Sequence, residues 1–364
     1  MNKQKLIFDI LSCALNGCEE SSHKCFEKVS DDDWRWAYSV LSMHGVAVFA
    51  YTAIESLPVE CRPHKEVILK FISSSLAAER SYVRLSNVVK AIDVLLSNNQ
   101  VTCLLLKGMS LSDYYPKPQM RTFADVDIYA PDMGKEVDRI FSDNGLHVDD
   151  DFYRHSHITF SGISIENHKC LLDLRGRQSQ CKFDDDLRIM AKYYLSGKDK
   201  AGLHYPPPAF SLLFNLHHAL SHFIYEGISF KFLVDWILLI RAETETINSP
   251  SIADMIRQHN LEKFAAMMTR VAVDYLGLRE GEVPEFLRSA VQSIDTAVEN
   301  KFIDDLFRSY EQVHSSNRIL ERLGLAKRII NAAWKPKEFL GQSSLGFILH
   351  KFVPIFFGRK GDDF

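Results

Sequence analysis

Asp125 and Asp127 stand one residue apart in ADVDIYA (124–130), and upstream of them a Lys107-Gly108 pair is followed by small and polar residues. Alternation on a strand sends both aspartates to one side, with α-carbons about 6.5–7 Å apart. Two ionised carboxylates that close repel unless a cation lies between them, and hard oxygen ligands of this kind suit Mg²⁺. Val126 and Ile128 take the opposite, core-facing side. Lys107-Gly108 ends the apolar run VTCLLLK (101–107), and MSLSDYY then reads as a helix start. Such a junction presents backbone N–H groups to an anion, Gly108 allows close approach, Ser110 adds a hydroxyl and Lys107 a positive charge. A bare Asp-x-Asp is usually a solvated strand edge. A phosphate cradle and a metal pair on neighbouring strands together are the two halves of a nucleoside-triphosphate site.

The elements that must position these residues are legible from periodicity. Residues 1–98 read as helical, with apolar residues at three- and four-residue spacing in 34–54 and 79–99, and a break near Pro58 and Pro63. Strands are expected at 101–107, 124–130, 156–162 and 163–175, with a helix over 134–145 closed by Gly145. From Pro206-Pro207-Pro208 onward the pattern returns to helices. The expected architecture is α+β: a helical region over 1–98, a small mixed-sheet core over 99–203, and a C-terminal helical domain over 204–364.

The bulk numbers exclude several classes. A chain of 364 residues is long enough for two or three packed units. Its net charge of −4 gives no electrostatic case for nucleic acid or an anionic membrane as the main partner. Seven cysteines without a C-x-x-C pair argue against a disulfide framework and a zinc ribbon, and for a reduced, cytoplasmic setting. The N-terminal stretch, interrupted by Asp9, reads as an amphipathic helix, not a signal peptide, and no apolar run is long enough to span a bilayer. The C-terminal FILHKFVPIFF reads as a helix docked on the body.

KGMSLSDYYPKPQMRTFADVDIY (107–129) resembles the signature of nucleotidyltransferases of the DNA polymerase β-like superfamily. It is most similar to a subfamily of uncharacterised nucleotidyltransferases, through Lys107-Gly108, Tyr115-Pro116, Arg121 and Asp125-Val126-Asp127. Glu166-Asn167-His168 matches that subfamily's acidic-x-His motif, and His218, His222, Gly227, Lys231 and Asp235 match a later helical motif. The likeness covers roughly residues 30–240. Met109 stands where the loop usually has Gly or Ser, and Lys231 where Arg is common.

The resemblance implies a polymerase β-like core in which Asp125, Asp127 and Glu166 hold two Mg²⁺ ions and a nucleoside triphosphate. Asp173 competes with Glu166 as the third carboxylate. Lys107, Gly108 and Ser110 would contact phosphate; Arg121 either clamps phosphate or forms a structural ion pair. His168 orients a carboxylate, contacts substrate or is a sheet histidine. His218 and His222 share a helix face, but no H-E-x-x-H and no nearby Cys supports zinc. With Lys231 and Asp235 they suit a polar seam lining an acceptor pocket. The implied reaction transfers a nucleoside monophosphate, with ATP the expected donor, to a hydroxyl of a small molecule or protein. The alternative, motivated by Met109, is a nucleotide- or partner-binding module without turnover, for example toxin-neutralising. Action on RNA ends is disfavoured by the acidic balance.

Overall fold

The computed structural model describes residues 3–174, 178–308, 327 and 329–349. Helices open the chain: α1 (Lys3–Asn16), α2 (Glu20–His23), α3 (Asp31–Met43), α4 (Ala47–Ser56) and the 34-residue α5 (Lys65–Asn98). Ser30 caps α3 by accepting from Asp33 N–H, and Asp31, Asp32 and Asp33 complement the helix dipole. The 34–54 stretch, apolar at helical spacing throughout, is two helices because Gly45 adopts φ 69° between them. That turn presents the Gly45 carbonyl to the Thr122 hydroxyl, 3.0 Å away, and so meets the loop that leads to Asp125.

Six strands form one mixed sheet in the order β3-β4-β5-β2-β1-β6. They are β1 (Thr102–Leu106), β2 (Asp125–Tyr129), β3 (Val148–Asp149), β4 (His155–Phe160), β5 (Ile163–His168) and β6 (Gly202–His204). Between them lie α6 (Lys107–Ser112), α7 (Gly134–Asp143) and α8 (Gln178–Ser196). β2 runs parallel to β5 and antiparallel to β1, while β6 joins β1 in parallel. Then follow α9 (Pro208–Tyr225), α10 (Phe230–Ala242) and further helices at Pro250–Gln258, Glu262–Leu276, Thr296–Arg308 and Trp334–Leu340.

Two apolar clusters sandwich the sheet. Val126, Ile128, Leu105 and Ile165 pack with Leu85, Val88 and Ile92 of α5 and with Val137, Ile140 and Phe141 of α7. On the other side Leu104, Leu106 and Tyr129 join the larger cluster built from α1, α3, α4 and the helices after β6. Burial of such side chains contributes about 1.5–3 kcal/mol each. Asp138 of α7 accepts from Ser156 (2.7 Å) and Asn167 (2.8 Å), fixing that helix under β4 and β5.

One expectation is corrected, and two strands join that the sequence pattern did not announce. The strand expected over 163–175 ends at His168. Lys169 N–H donates to Arg154 O, and the Leu171 and Leu172 N–H groups donate to Asp184 of α8, so the ladder cannot continue. The short β3 and β6 pair at the sheet's edges although neither carries a readable alternation. The seven cysteines are free, as expected for a chain without a disulfide framework. Phe347 is buried in the main cluster, but the rest of the C-terminal apolar segment beyond Leu349 lies outside the described residues.

Candidate active site

The parallel register of β2 and β5 sets Asp125 opposite Ser164, Asp127 opposite Glu166 and Tyr129 opposite His168. Register partners project to the same face, so three carboxylates from two strands meet there. β4 continues the face, with His155 opposite His168 and His157 opposite Glu166. Asp173 is not part of this group. It lies past the end of β5, where the Tyr153 hydroxyl donates to it.

Asp127 is the centre of the cluster, with a side chain only 2% exposed. Its Oδ1 lies 2.7 Å from Lys107 Nζ and 2.8 Å from His168 Nε2. Burial opposes charging of Asp127, but the Lys107 ammonium and the His168 hydrogen bond overcome it and hold the carboxyl well below its usual range. Asp125 goes the other way: burial and the neighbouring Asp127 raise it. His168 also reaches toward Glu166, at 3.6 Å from Oε2, and so bridges two of the three acids. Burial would raise Glu166; its net lowering follows from His168 and Lys107.

The loop that delivers Lys107 is strained. Lys107 has φ 40°, in the left-handed region that non-glycine residues rarely occupy. Next to it Gly108 departs from helical geometry at φ 3°, ψ −90°. A β-carbon on Gly108 would lie 3.0 Å from the Phe123 ring, so a side chain here would push that ring aside by a few tenths of an ångström. The Ser110 hydroxyl donates to Lys107 O at 2.7 Å, bracing the turn. Met109 is buried among the α5-side residues of the sheet and so points away from the carboxylate face.

Of the two roles open to Arg121, the geometry displays the ion pair. Arg121 is 6% exposed; its Nε and Nη2 each lie 2.9 Å from Asp235, and Nη1 donates to Gly108 O at 3.1 Å. The Tyr115 hydroxyl donates to the same Asp235 at 2.8 Å. Residues 115, 121 and 235, far apart in sequence, thus form one buried network that ties the Gly108 loop to α10. Lys231, one turn before Asp235, is only partly buried and forms no ion pair among the described residues. Burial, with Arg121 close by, lowers its pKa, while Asp235 and Asp125 draw on its charge.

On α9, burial and the Lys107 ammonium hold His218 well below the usual histidine range. His218 is therefore a neutral group facing the site. His222 sits 4.5 Å from the His218 ring but pairs through Nδ1 with Glu226 at 2.7 Å. A cavity of about 330 Å³ opens beside the pre-β2 segment, bounded by Gly45, Ala78, Tyr82, Gln119, Arg121 and Phe123. Sequence reasoning did not single out Tyr82, His155 or His157. The alternating HSHITF run (155–160) carried the signal for the two histidines, but only the register shows what they face.

On this face three carboxylates from two strands meet the ammonium of a loop lysine. The chain belongs to the family described as uncharacterised nucleotidyltransferase, whose model matches residues 30–277. The match runs past the stretch that carries the recognisable motifs, into the helices after α10. No curated protein matches the chain, and no solved structure matches it. No helix among the described residues is long and apolar enough to cross a membrane.

Proposed function

We propose that the chain transfers a nucleoside monophosphate from a nucleoside triphosphate, ATP foremost, to a hydroxyl of a small molecule or protein, with release of pyrophosphate. The observation that carries this reading is the in-register meeting of Asp127 and Glu166 beside Asp125, with Lys107 reaching into the same cluster. The donor set fits the metal the reaction needs. Three carboxylates converge on one face, and the Lys107 ammonium already neutralises the most buried of them. Asp125, Asp127 and Glu166 would hold Mg²⁺, which when bound supplies positive charge to triphosphate oxygens and to the entering and leaving groups.

The acceptor oxygen bonds to the α-phosphorus, the bond from that phosphorus to the β-phosphate bridge breaks, and pyrophosphate leaves. Glu166, ionised and only 21% exposed, takes the acceptor's hydroxyl proton. Lys107 and Lys231 bind phosphate oxygens, one from the loop and the other from α10. His168 keeps Asp127 and Glu166 in fixed mutual orientation, and the Arg121–Asp235 pair holds the loop. Alignment and charge stabilisation account for most of the rate gain in such a site.

The test is pyrophosphate release from labelled ATP with Mg²⁺, scored against Asp125→Asn and against the Asp125→Asn/Asp127→Asn double variant. Loss of at least a thousandfold in the double variant is expected. Activity surviving there would remove the pair from the mechanism. An ATP-induced rise in melting temperature without pyrophosphate release under any acceptor would favour a binding module instead. Met109, the motive for that alternative, packs on the core side of the sheet.

A further inference from the structure

The carboxylate face does not end at Glu166. His155 and His157 of β4 stand opposite His168 and Glu166 of β5, so imidazoles surround the outer side of that carboxylate. His155 Nε2 lies 3.9 Å from Glu166 Oε1, and His168 Nε2 lies 3.6 Å from Oε2. Ligating atoms of His155, Glu166 and His168 all fall within 4.8 Å of one another. His157 Nε2 is 3.0 Å from His155 Nε2. A cation bonded at about 2.0–2.1 Å to tetrahedrally arranged ligands sets those ligands about 3.4 Å apart. The observed spacings need only small side-chain adjustments to meet that.

His168 Nε2 also lies 2.8 Å from Asp127 Oδ1, so a cation ligated by that nitrogen takes the place of the proton shared there. Two imidazole Nε2 atoms facing each other can share only one proton when both rings are neutral, and a carboxylate donates nothing. The Nδ1 atoms of His155 and of His168 are buried without a hydrogen-bond partner among the described residues. Rings held by ordinary structural bonding would be satisfied on at least one of those atoms.

We propose that His155, Glu166 and His168 form a binding site for a late first-row divalent cation such as Zn²⁺. Imidazole nitrogens select such ions, whereas Mg²⁺ prefers all-oxygen surroundings. Glu166 then has two faces, one toward the β2 carboxylates and one toward the β4 histidines. The proposal concerns cation binding in the absence of nucleotide and stands whether or not the chain turns over a triphosphate.

The test uses the chelator-stripped full chain and Co²⁺ alone, whose visible absorption strengthens in a four-coordinate nitrogen-containing site. One Co²⁺ per chain with strong absorption is expected, displaced by Zn²⁺. His155→Gln and His168→Gln should each weaken binding at least tenfold, while Asp125→Asn leaves it within about twofold. Equal loss in Asp125→Asn would place the cation on the β2 carboxylates and overturn the proposal, as would Co²⁺ binding unchanged in the double histidine variant. A readout independent of any variant is pulsed EPR of the Cu²⁺-loaded wild-type chain, an ion that imidazole ligands suit. Nitrogen couplings are expected, and an all-oxygen spectrum refutes the site.

Discussion

Lys107 Nζ lies 2.7 Å from Asp127 Oδ1, and both side chains are largely withdrawn from solvent. The amine arrives from a backbone turn with positive φ, so local strain is tolerated to bring this charge to this carboxylate. Lys107 therefore neutralises Asp127 before any other cation reaches it, and the two compete for the same negative charge.

Lys107→Met should raise the nucleotide-free affinity for Mg²⁺ several-fold while lowering nucleotidyl transfer at least tenfold. Isothermal titration and a pyrophosphate assay read the two effects separately. Unchanged metal affinity would mean that the amine and the metal do not share Asp127.

Lys231 differs because no carboxylate pairs with it among the described residues. Lys231→Met should raise KM for the nucleotide about tenfold, change kcat only a few-fold, and leave the melting temperature within a few degrees. A fall in kcat at constant KM would contradict a phosphate-binding role. A large loss of stability would instead assign Lys231 to the fold.

Arg121 and Asp235 form a buried bidentate pair that joins the Gly108 loop to α10. Removing one partner leaves the other buried and unpaired, which typically costs about 3–5 kcal/mol. Arg121→Met and Asp235→Asn should each lower the denaturant midpoint strongly, and the double variant should lose much less than the sum. Additive losses in that cycle would show that the pair is not coupled.

His44 tests the interface between the N-terminal helices and α10. It is buried, accepts from Phe230 N–H at 3.1 Å through Nδ1, and burial lowers it to about 3. The unfolded chain takes up a proton near pH 6.5 that the folded chain refuses until about 3. This group therefore has no effect on stability above about pH 6.5 and destabilises increasingly as pH falls below it, by up to about 1.4 kcal/mol per pH unit. Unfolding curves of the wild type and His44→Asn should diverge in slope only within that window. Parallel pH profiles would exclude His44 as the origin.

Much of the site could be read locally. The two-residue period of β2 places Asp125 with Asp127 and sends Val126 and Ile128 to the core, and the alternation of β5 aligns Glu166 with Ser164. The breaks at Pro58 and Pro63 and the glycine after α7 are equally local, because backbone stereochemistry acts over a few residues. The end of β5 could not be read that way. ISIENHKCLLDLR is apolar enough to continue as a strand, and it stops because Asp184, more than ten residues later, accepts the Leu171 and Leu172 N–H groups.

The sequence by itself determined which residues are candidates for the chemistry and, through strand periodicity, which of them share a side within one strand. Tertiary structure alone decided the rest: that Glu166 and not Asp173 lies level with Asp127, that Arg121 is held by Asp235 across 114 residues, and that two histidines of β4 close on the same carboxylate. The reason is physical. Alternation is a property of one strand's own backbone, whereas register and ion pairing depend on how separate elements settle against each other once their apolar faces are buried.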